Sequence, residues 1–351
     1  MSADPLGESA LQSFIKDESQ LDEILTRPRP VLLDFIGRVA SPLVILGAGG
    51  KMGPSLAVLA KRAAVSVGCD LEVVAVSRFS NRSTQAWLES QHIRTINANL
   101  LIKEELSKLP DSANLLYLVG MKFGTVQNPY LTWAVNSLVP AHVMERYPAA
   151  KVSALSTGNV YPAVSVHSGG AREDHPLTPL GEYANSAVAR ERIFEFFARK
   201  QHTPLALLRL NYAVELRYGV LSDIARKVDR EEAIDLANGC FNCIWQGDAN
   251  EMILRSLDIA TNPPQPWNLT GPILRVRDIA ARFGQLLGKT PRFSGQESDT
   301  ALVSNAEKLC ARLGSPATPL EVVMQWTAAW IRQKGRSLNK PTHFEVRDGQ
   351  Y

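Results

Sequence analysis

The sequence has few cysteines, little net charge and no long apolar run, and each of these absences excludes a class of protein. Its 351 residues include four cysteines and carry a formal net charge of +3. So small a charge, without runs of lysine and arginine, argues against a nucleic-acid partner. No segment approaches the roughly 20 apolar residues of a membrane helix. The acidic N-terminal stretch also lacks the apolar core of a secretory signal, so we expect a cytoplasmic protein without membrane attachment.

The cysteines are too few and too scattered for a disulfide framework. Cys69, Cys240, Cys243 and Cys310 are expected to be reduced thiols, as is usual in the cytoplasm. Cys240 and Cys243 form an isolated C-x-x-C, but a zinc site would need a second pair of ligands at a suitable spacing. We therefore predict two incidental, half-buried cysteines and no metal site.

From residue 43 onward, short apolar runs alternate with helical segments. The runs are continuously apolar, which is typical of strands covered on both faces. Repeated strand–helix units predict an α/β fold, a Rossmann-type doubly wound parallel sheet with a smaller C-terminal substrate-binding lobe. The predicted strands are 43–50, 71–77, 93–101, 114–120, 151–157 and 205–211, and the predicted helices are 52–67, 84–90, 103–109, 130–146 and 183–201.

The same pattern divides the chain into four predicted parts. An amphipathic helix over 8–25, ended by Pro28 and Pro30, belongs to an N-terminal arm of residues 1–40. The dinucleotide-binding domain follows over 41–211. Residues 212–335 form mostly the lobe, with some segments returning to the larger domain, and we expect a strand at 267–271 and a helix from Val276 to Leu287. Residues 336–351 form a loosely structured tail.

A glycine-rich loop follows the first strand directly and precedes a helix. In LVILGAGGKMG, Gly47 can make the tight turn, Gly49 or Gly50 lets the backbone approach a pyrophosphate, and Gly53 permits close packing of the helix. The N-terminus of the helix then faces the negative charge. The order of strand, loop, helix and strand predicts a dinucleotide site, and Lys51 and Met52 of the same loop complete it.

The end of the second strand indicates which dinucleotide binds. An acidic residue there would bind the adenosine ribose hydroxyls and repel a 2′-phosphate. This sequence has Ser77 and Arg78 instead, and the guanidinium of arginine suits a phosphate dianion. The prediction is NADP in preference to NAD. An Arg78 that is solvated, or that stacks on adenine without reading the phosphate, is the alternative.

Several segments together resemble the extended short-chain dehydrogenase/reductase superfamily, in its NAD-dependent epimerase/dehydratase group. Gly47, Gly50 and Gly53 match the G-x-x-G-x-x-G form of the group. LSTGNVYP (155–162), REDHPLTPLGEYANSA (172–187) and LRLNYAV (208–214) are similar to three further stretches of it. The resemblance runs from about residue 43 to 330 and implies hydride transfer at a nicotinamide.

The resemblance implies a role for individual residues. Tyr183 is the general acid/base, and Thr157, with the adjacent Ser156 as the alternative, binds the reacting oxygen. Asn136 matches an asparagine of the helix before the catalytic strand, although a structural hydrogen bond explains it as well. Asn211, together with Tyr161, belongs to the substrate side.

Ala187 stands where the resemblance leads us to expect the lysine of Tyr-x-x-x-Lys. That lysine binds the nicotinamide ribose and lowers the tyrosine pKa from near 10 in the family. Arg190 is too far along the helix to replace it, and we interpret it as a solvated or ion-paired residue. Lys122, in the loop after the fourth strand with Gly120 and Met121, borders the nicotinamide side and can supply a cation from another direction. An ordinary surface lysine is the alternative.

The leading hypothesis is an NAD(P)-dependent oxidoreductase or epimerase acting on a sugar, sugar acid or nucleotide-sugar. A lyase that uses the same tyrosine with transient oxidation is a third possibility. The alternative is a catalytically silent NAD(P)-binding sensor, which would have no need of Tyr183 and Thr157. The resemblance also implies a homodimer, formed through the apolar faces of helices 130–146 and 183–201.

Overall fold

The computed structural model describes residues 14–122, 124–340 and 342–349, so residues 8–13 of the first predicted helix lie outside it. In chain order the strands of the described part are β1 (Leu43–Leu46), β2 (Val73–Ser77), β3 (Arg94–Asn97), β4 (Asn114–Tyr117), β5 (Lys151–Thr157), β6 (Val164–Ser165), β7 (Leu205–Leu210), β8 (Ala213–Val214), β9 (Ala233–Asp235), β10 (Cys240–Asn242), β11 (Ile244–Trp245), β12 (Gln265–Leu269), β13 (Ile273–Arg275), β14 (Arg292–Ser294) and β15 (Thr300–Ala301).

The helices of the same part are α1 (Glu18–Leu25), α2 (Pro30–Ile36), α3 (Gly53–Ser66), α4 (Arg82–Ser90), α5 (Lys103–Ser107), α6 (Pro129–Trp133), α7 (Val139–Arg146), α8 (Gly181–Gln201), α9 (Val220–Asp229), α10 (Gln246–Arg255), α11 (Val276–Leu287), α12 (Glu307–Leu313) and α13 (Leu320–Arg332). A π-helix over Ala134–Leu138 and short 3₁₀-helices over Gly158–Val160 and Ser256–Ile259 complete them.

Seven strands form one sheet in the order β12-β7-β5-β4-β1-β2-β3. Every neighbouring pair in it is parallel. The prediction of a doubly wound parallel sheet is confirmed, and β12 joins it from the C-terminal part of the chain. The strand order reverses between β1 and β4, and the crevice outside the carboxyl ends of these strands is where this architecture binds ligands.

The apolar side chains of the strands belong to two separate cores, one on each face of the sheet. In β1, Leu43 and Ile45 belong to a core on the side of α2, α3 and α10. Val44 and Leu46 point to the opposite face and pack with residues of α7 and α8. Because successive side chains of a strand alternate between the faces, a strand covered on both sides needs apolar residues at every position.

The helix predicted over 130–146 is divided by the π-helix of Ala134–Leu138. Pro140 has no N–H to donate to the carbonyl oxygen of Asn136, so the regular α-helical pattern cannot continue through this turn. The wider turn carries the Asn136 side chain into the interior, where it is fully buried.

The N-terminal arm is fixed to the rest of the protein by polar contacts. Helix α1 ends before the prolines, and Pro30 begins α2, since the first helical position needs no N–H. Arg217 binds α1, with 3.1 Å from Nη1 to Glu18 Oε2 and 3.1 Å from Nη2 to Asp22 Oδ1. After α13 the described residues form no helix or strand.

The segment after α13 nevertheless packs on the lobe. Phe344 is buried in the core that α9, α11 and α13 share, and Thr342 donates two hydrogen bonds to Asp223. The segment then reaches the start of α8, where a Cβ on Gly181 would lie 2.3 Å from the carbonyl oxygen of Gly349. Residues 342–349 thus run from the lobe to the helix that carries Tyr183.

Candidate active site

The loop between β1 and α3 is shaped by two glycines that a larger residue cannot replace without strain. Gly47 has a φ of +84°, and a Cβ added to it would lie 2.9 Å from the carbonyl carbon of Leu118. A Cβ on Gly53 would lie 2.5 Å from the Cα of Ala48, so α3 packs directly against the loop. The tight turn leaves room in front of α3 for a pyrophosphate, which fits a dinucleotide cofactor.

Two clefts meet at this loop, and Gly47 and Gly50 line both of them. The β2 cleft runs toward the end of β2 and is lined further by Gly49, Ser77, Arg78, Gly120 and Met121. The lobe cleft runs toward the C-terminal lobe and is lined further by Lys51, Met52, Gly53, Lys122, Ser156, Thr157, Tyr183 and Asn211. Every residue predicted to bind the cofactor therefore lies in one cleft or the other.

The β2 cleft presents an exposed cation at the end of β2. Arg78 directly follows the strand and is exposed. Ser77 lies beneath the glycine loop, where a Cβ on Gly49 would come within 2.6 Å of the Ser77 hydroxyl oxygen. The backbone of the loop is thus close to the polar end of β2, and a guanidinium stands at the outer edge of the same cleft.

In the lobe cleft, a tyrosine and a lysine lie close together. Tyr183 is in the first turn of α8 and is largely buried. The Nζ of Lys122 lies 6.0 Å from the centre of the Tyr183 ring and 5.5 Å from that of Tyr212. Burial lowers the pKa of Lys122 to about 8, because the surrounding walls disfavour the charged form.

The two hydroxyl residues at the end of β5 have different surroundings. Thr157 Oγ1 donates to Asn159 Oδ1 at 3.1 Å and accepts from Asn159 N at 3.2 Å, so it caps the 3₁₀-helix as well as lining the lobe cleft. The Ser156 hydroxyl donates to Glu191 at 2.5 Å below the cleft. Both residues line the lobe cleft, and in this structure each hydroxyl donates its proton to a neighbouring side chain.

Tyr161 lies outside the lobe cleft, in a buried polar network. Its hydroxyl donates to Asn268 Oδ1 at 2.8 Å and accepts from Arg209 Nη1 at 2.6 Å. Arg209 also forms an ion pair with Glu191, 2.8 Å from Nη2 to Oε2, and both side chains are almost fully buried. Burial raises the pKa of Tyr161 to about 12. These contacts connect the segment after β5 with β7, β12 and α8 beneath the cleft.

Asn211 lies in the cleft and Asn136 lies behind it. The Asn211 side chain accepts a hydrogen bond from the Ser304 hydroxyl at 3.2 Å and fills the space in which a Cβ on Gly158 would sit, 2.2 Å from its Oδ1. Asn136 Nδ2 donates to Met121 O at 3.2 Å and to Ser186 Oγ at 2.9 Å. Asn136 thus contacts the loop before Lys122 and the helix of Tyr183, rather than the cleft itself.

Comparison with known families agrees with this geometry. The model of the NAD dependent epimerase/dehydratase family matches residues 43–233, more than half of the chain. The chain belongs to this family. The resemblance of the glycine loop and of the stretch around Tyr183 is therefore confirmed at the level of the family. A comparison with curated protein sequences gave no significant match.

Solved structures of epimerases and dehydratases have the same fold. The UDP-glucose 4-epimerase of Thermotoga maritima, solved with UDP-glucose, has a TM-score of 0.70 and 17% identity over 84% of this chain and 99% of its own. The UDP-glucuronic acid 4-epimerase of Bacillus cereus, in complex with NAD, gives 0.69 and 16% over 84% and 99%. The dTDP-glucose 4,6-dehydratase of Bacillus anthracis, also with NAD, gives 0.69 and 15% over 84% and 97%.

Ala187 is not part of either cleft, although the family pattern leads us to expect a lysine there. It is fully buried in a small apolar cluster with Val160, Tyr161 and Ala171. Arg190, one turn further on, was expected to be solvated or ion-paired, but it is 4% exposed and its Nη1 donates to the carbonyl oxygen of Val119 at 3.1 Å. That interpretation of Arg190 was wrong, because α8 packs against the end of β4 and encloses the guanidinium.

The lobe contributes aromatic residues to the cleft that the family pattern does not specify. Tyr212 and Tyr218 line it, and Asn159 lies beside Thr157. Lys51, predicted only as a member of the cofactor loop, extends toward the lobe and lies over the Tyr218 ring, with 3.7 Å between Nζ and the ring centre. The position of Tyr212 directly after Asn211 was a signal in the sequence, whereas nothing there linked Lys51 with Tyr218.

Other kinds of site find no support in the described residues. Within 14–122, 124–340 and 342–349, no group of three or more His, Cys, Asp or Glu side chains could hold a metal ion. All four cysteines are free, and burial raises the pKa of Cys243 to about 12. No helix in this part of the chain is long and apolar enough to cross a membrane.

Proposed function

We propose that the protein is an NAD(P)-dependent oxidoreductase or epimerase that acts on a sugar, sugar acid or nucleotide-sugar. The observation that carries this proposal is the placement of Tyr183, Thr157 and Lys122 in one cleft that begins at the glycine loop. The family match supports redox chemistry at a nicotinamide. The relatives solved with UDP-glucose or NAD support a nucleotide-sugar as one candidate substrate.

In this mechanism a bound nicotinamide supplies the acceptor for a hydride from the substrate carbon. Tyr183 takes the proton from the hydroxyl on that carbon and returns it when the carbonyl is reduced. The Thr157 hydroxyl donates to Asn159 Oδ1 in this structure and turns to donate to the same oxygen when substrate binds, which holds that oxygen within reach of Tyr183. Asn211 and Tyr212, which line the same cleft, orient the remainder of the substrate.

Lys122 performs part of the task that a lysine at position 187 would perform. Its ammonium lies 6.0 Å from the centre of the Tyr183 ring. By electrostatic attraction it favours the phenolate form of Tyr183, which is the form that accepts the proton of the substrate. It approaches from the loop after β4 rather than from α8. Asn136 acts as a positioning residue, because it fixes the backbone of Met121, next to Lys122.

The glycine loop, Lys51 and Met52 would hold the pyrophosphate, and Ser77 and Arg78 would hold the adenosine end. The proposed cofactor is NADP in preference to NAD, since the exposed Arg78 faces the β2 cleft at the place of an acidic residue. If this is right, Arg78→Leu weakens NADPH binding by about tenfold or more and leaves NADH binding within twofold. Equal losses for the two nucleotides would contradict the preference.

We propose further that the protein forms a homodimer through α6, α7 and α8. These helices and the π-helix between them leave large apolar side chains exposed: Tyr130 by 74%, Trp133 by 40%, Leu138 by 48% and Phe196 by 58%. Exposed apolar side chains on neighbouring helices are typical of an interface. Sedimentation of the wild type and of Phe196→Glu tests this, and a monomeric wild type would rule the dimer out.

The decisive experiment on function is to denature the purified protein and identify any nucleotide that it releases. Tightly held NAD would support internal redox, as in epimerases and dehydratases, and would contradict the NADP preference. An empty protein that then binds NADPH better than NADH would support a reductase or dehydrogenase. A protein that binds nucleotide but transfers no hydride to any carbohydrate would favour the sensor, and one that binds neither nucleotide would remove the case for this chemistry.

A further inference from the structure

Lys51 reaches from the glycine loop across the lobe cleft. Its Nζ donates a hydrogen bond of 2.5 Å to the carbonyl oxygen of Ala213 and lies 3.7 Å from the centre of the Tyr218 ring. Both partners are neutral, so they stabilise the ammonium without cancelling its charge. An ammonium has three donors, and the bond to Ala213 uses one of them.

The lobe cleft therefore has a positive character. Lys51 and Lys122 both line it, and none of its described lining residues is Asp or Glu. The carboxylates close enough to act on Lys51 are engaged elsewhere. Glu215 accepts a hydrogen bond from Arg217 Nε, and Asp223 accepts from Thr342. Two cations in a concave, mostly uncharged space raise the local concentration of anions.

The protonation of Lys51 responds to this environment. Burial lowers its pKa to about 7, Lys122 and Arg217 add to the lowering, and Glu215 and Asp223 oppose it. Lys51 also retains exposed surface at the mouth of the cleft, and water there moderates the effect. An anion beside the ammonium favours its charged form, so binding of such an anion at neutral pH is accompanied by proton uptake.

We propose that Lys51, with Lys122, forms an anion-binding site between the glycine loop and the lobe that selects a phosphate or carboxylate group of the bound ligand. The inference rests on the proposed function and deepens it. Two sources carry this chemistry, the pyrophosphate of the cofactor and an acidic group of the substrate. In either case the charge of Lys51, rather than its hydrophobic stem, provides the selectivity.

Calorimetric titrations at about 50 mM and about 300 mM NaCl test the proposal, because ionic contacts weaken strongly between these two salt concentrations. Inorganic pyrophosphate and ADP probe the first source on the protein freed of nucleotide. Glucuronate and neutral glucose probe the second source on the protein saturated with its preferred nicotinamide dinucleotide. The variants are Lys51→Met and Lys51→Arg, and Lys108→Met, at an exposed lysine of the turn after α5, is the matched control.

We expect Lys51→Met to lose about tenfold or more in affinity for one class of charged probe, and Lys51→Arg to keep most of it. A loss confined to pyrophosphate and ADP assigns the site to the cofactor. A loss for glucuronate, without one for glucose, assigns it to the substrate. Near pH 8 the wild type takes up protons on binding, and Lys51→Met takes up fewer. Affinities of Lys51→Met within twofold of wild type, or a wild type that binds none of the charged probes, overturn the proposal.

This result is separable from the proposed function. Binding of pyrophosphate through Lys51 requires no hydride transfer, so it can succeed in a protein that turns over no carbohydrate. Conversely, full activity in Lys51→Met would leave the proposed enzymatic function unaffected and rule out the anion site. A merely structural bond to Ala213 would lower the unfolding temperature of Lys51→Met without changing the salt dependence of pyrophosphate binding. If Lys51→Met fails to fold, the affinity of Lys51→Arg for the charged probes and the proton uptake of the wild type still test the proposal.

Discussion

Asn136 binds the backbone of Met121 in both directions, donating to its carbonyl oxygen at 3.2 Å and accepting from its N–H at 3.0 Å. The same amide group donates to Ser186 Oγ, which in turn donates to the carbonyl oxygen of Tyr183 at 2.9 Å. One fully buried side chain therefore connects the residue before Lys122 with the backbone of Tyr183. The relative position of the proposed acid/base and its cation depends on this connection.

Replacing Asn136 by alanine is expected to lower kcat more than it raises KM. The change leaves the backbone groups of Met121 without their partner and lowers the free energy of unfolding by about 1–3 kcal/mol. Urea denaturation and steady-state kinetics at a temperature where the variant is folded measure both effects. Asn185→Ala, at an exposed asparagine of α8, is the control and should behave as wild type. An unchanged kcat in folded Asn136→Ala would contradict the positioning role.

Lys122→Met should reduce kcat by about tenfold or more with little loss of stability, because methionine keeps the apolar stem and removes only the charge. Burial disfavours the charged form of Lys122, so removal of its ammonium should be neutral or stabilising for the fold. Thermal unfolding and turnover of Lys122→Met are compared with those of Lys108→Met. Unchanged turnover would show that the missing lysine is not replaced from the loop after β4.

Tyr183→Phe should reduce kcat by about 10²–10⁴-fold, the usual contribution of a general acid/base. Phenylalanine fills the same volume, so the unfolding temperature and the affinity for the dinucleotide should stay close to those of wild type. Single-turnover formation of NAD(P)H, followed by absorbance, reports the chemical step alone. A variant that retains a tenth or more of the activity would exclude Tyr183 as the proton-transfer residue.

The pH dependence of activity and that of stability should run in opposite directions above neutrality. Lys122 has a pKa of about 8 in the folded protein, below the ordinary value of 10.5, so between these values the unfolded chain binds more protons. The contribution of Lys122 to the free energy of unfolding therefore rises with pH over this window. Turnover should fall over the same window, because the ammonium that is proposed to favour the Tyr183 phenolate is lost.

The pKa of Lys51 is lowered to about 7. Its contribution to the free energy of unfolding therefore also rises with pH, and the rise begins at a lower pH than that of Lys122. Urea denaturation and kcat are measured from about pH 7 to about pH 10 for wild type and Lys122→Met. This range extends from the lowered pKa values of the two lysines to the ordinary pKa of a lysine. In Lys122→Met the fall in kcat above pH 8 should disappear. A fall that persists there would assign the alkaline limb to another group.

Ala187→Lys, which introduces the lysine that the resemblance leads us to expect, should destabilise the protein. Ala187 is fully enclosed by Val160, Tyr161 and Ala171, so a lysine there overpacks the cluster at a cost of about 1–3 kcal/mol, and burial of its ammonium adds to this. Asn185→Lys, at an exposed site of the same helix, is the control. If Ala187→Lys were as stable as wild type and more active, the cluster would not be the reason for the alanine.

The sequence was sufficient for the elements that depend on local pattern. The continuous apolar runs predicted the first six strands of the sheet, most of which are covered on both faces, and the glycine spacing predicted the turn at Gly47 and the packing at Gly53. Tyr183 and Thr157 could be assigned to one site in advance only through the resemblance to the family, and Lys122 was added because it follows the carboxyl end of a parallel strand.

Contacts between distant segments could not be obtained in this way. The lysine of the glycine loop meets Ala213 and Tyr218 only because the lobe folds back over the cleft. Tyr161 was assigned to the substrate side, but its hydroxyl contacts Asn268 of β12 and Arg209 of β7. The π-helix that buries Asn136 depends on Pro140 and on hydrogen bonds to residues of other elements, so apolar periodicity alone gave one uninterrupted helix.

The enclosure of Ala187 also restricts how this sequence can change over generations. Once small apolar side chains from the segments around Val160 and Ala171 occupy the space beside position 187, a single substitution to lysine meets a filled interior. A lysine at position 187 would therefore need compensating substitutions at the residues that surround it. The alanine at this one position is held in place by its neighbours.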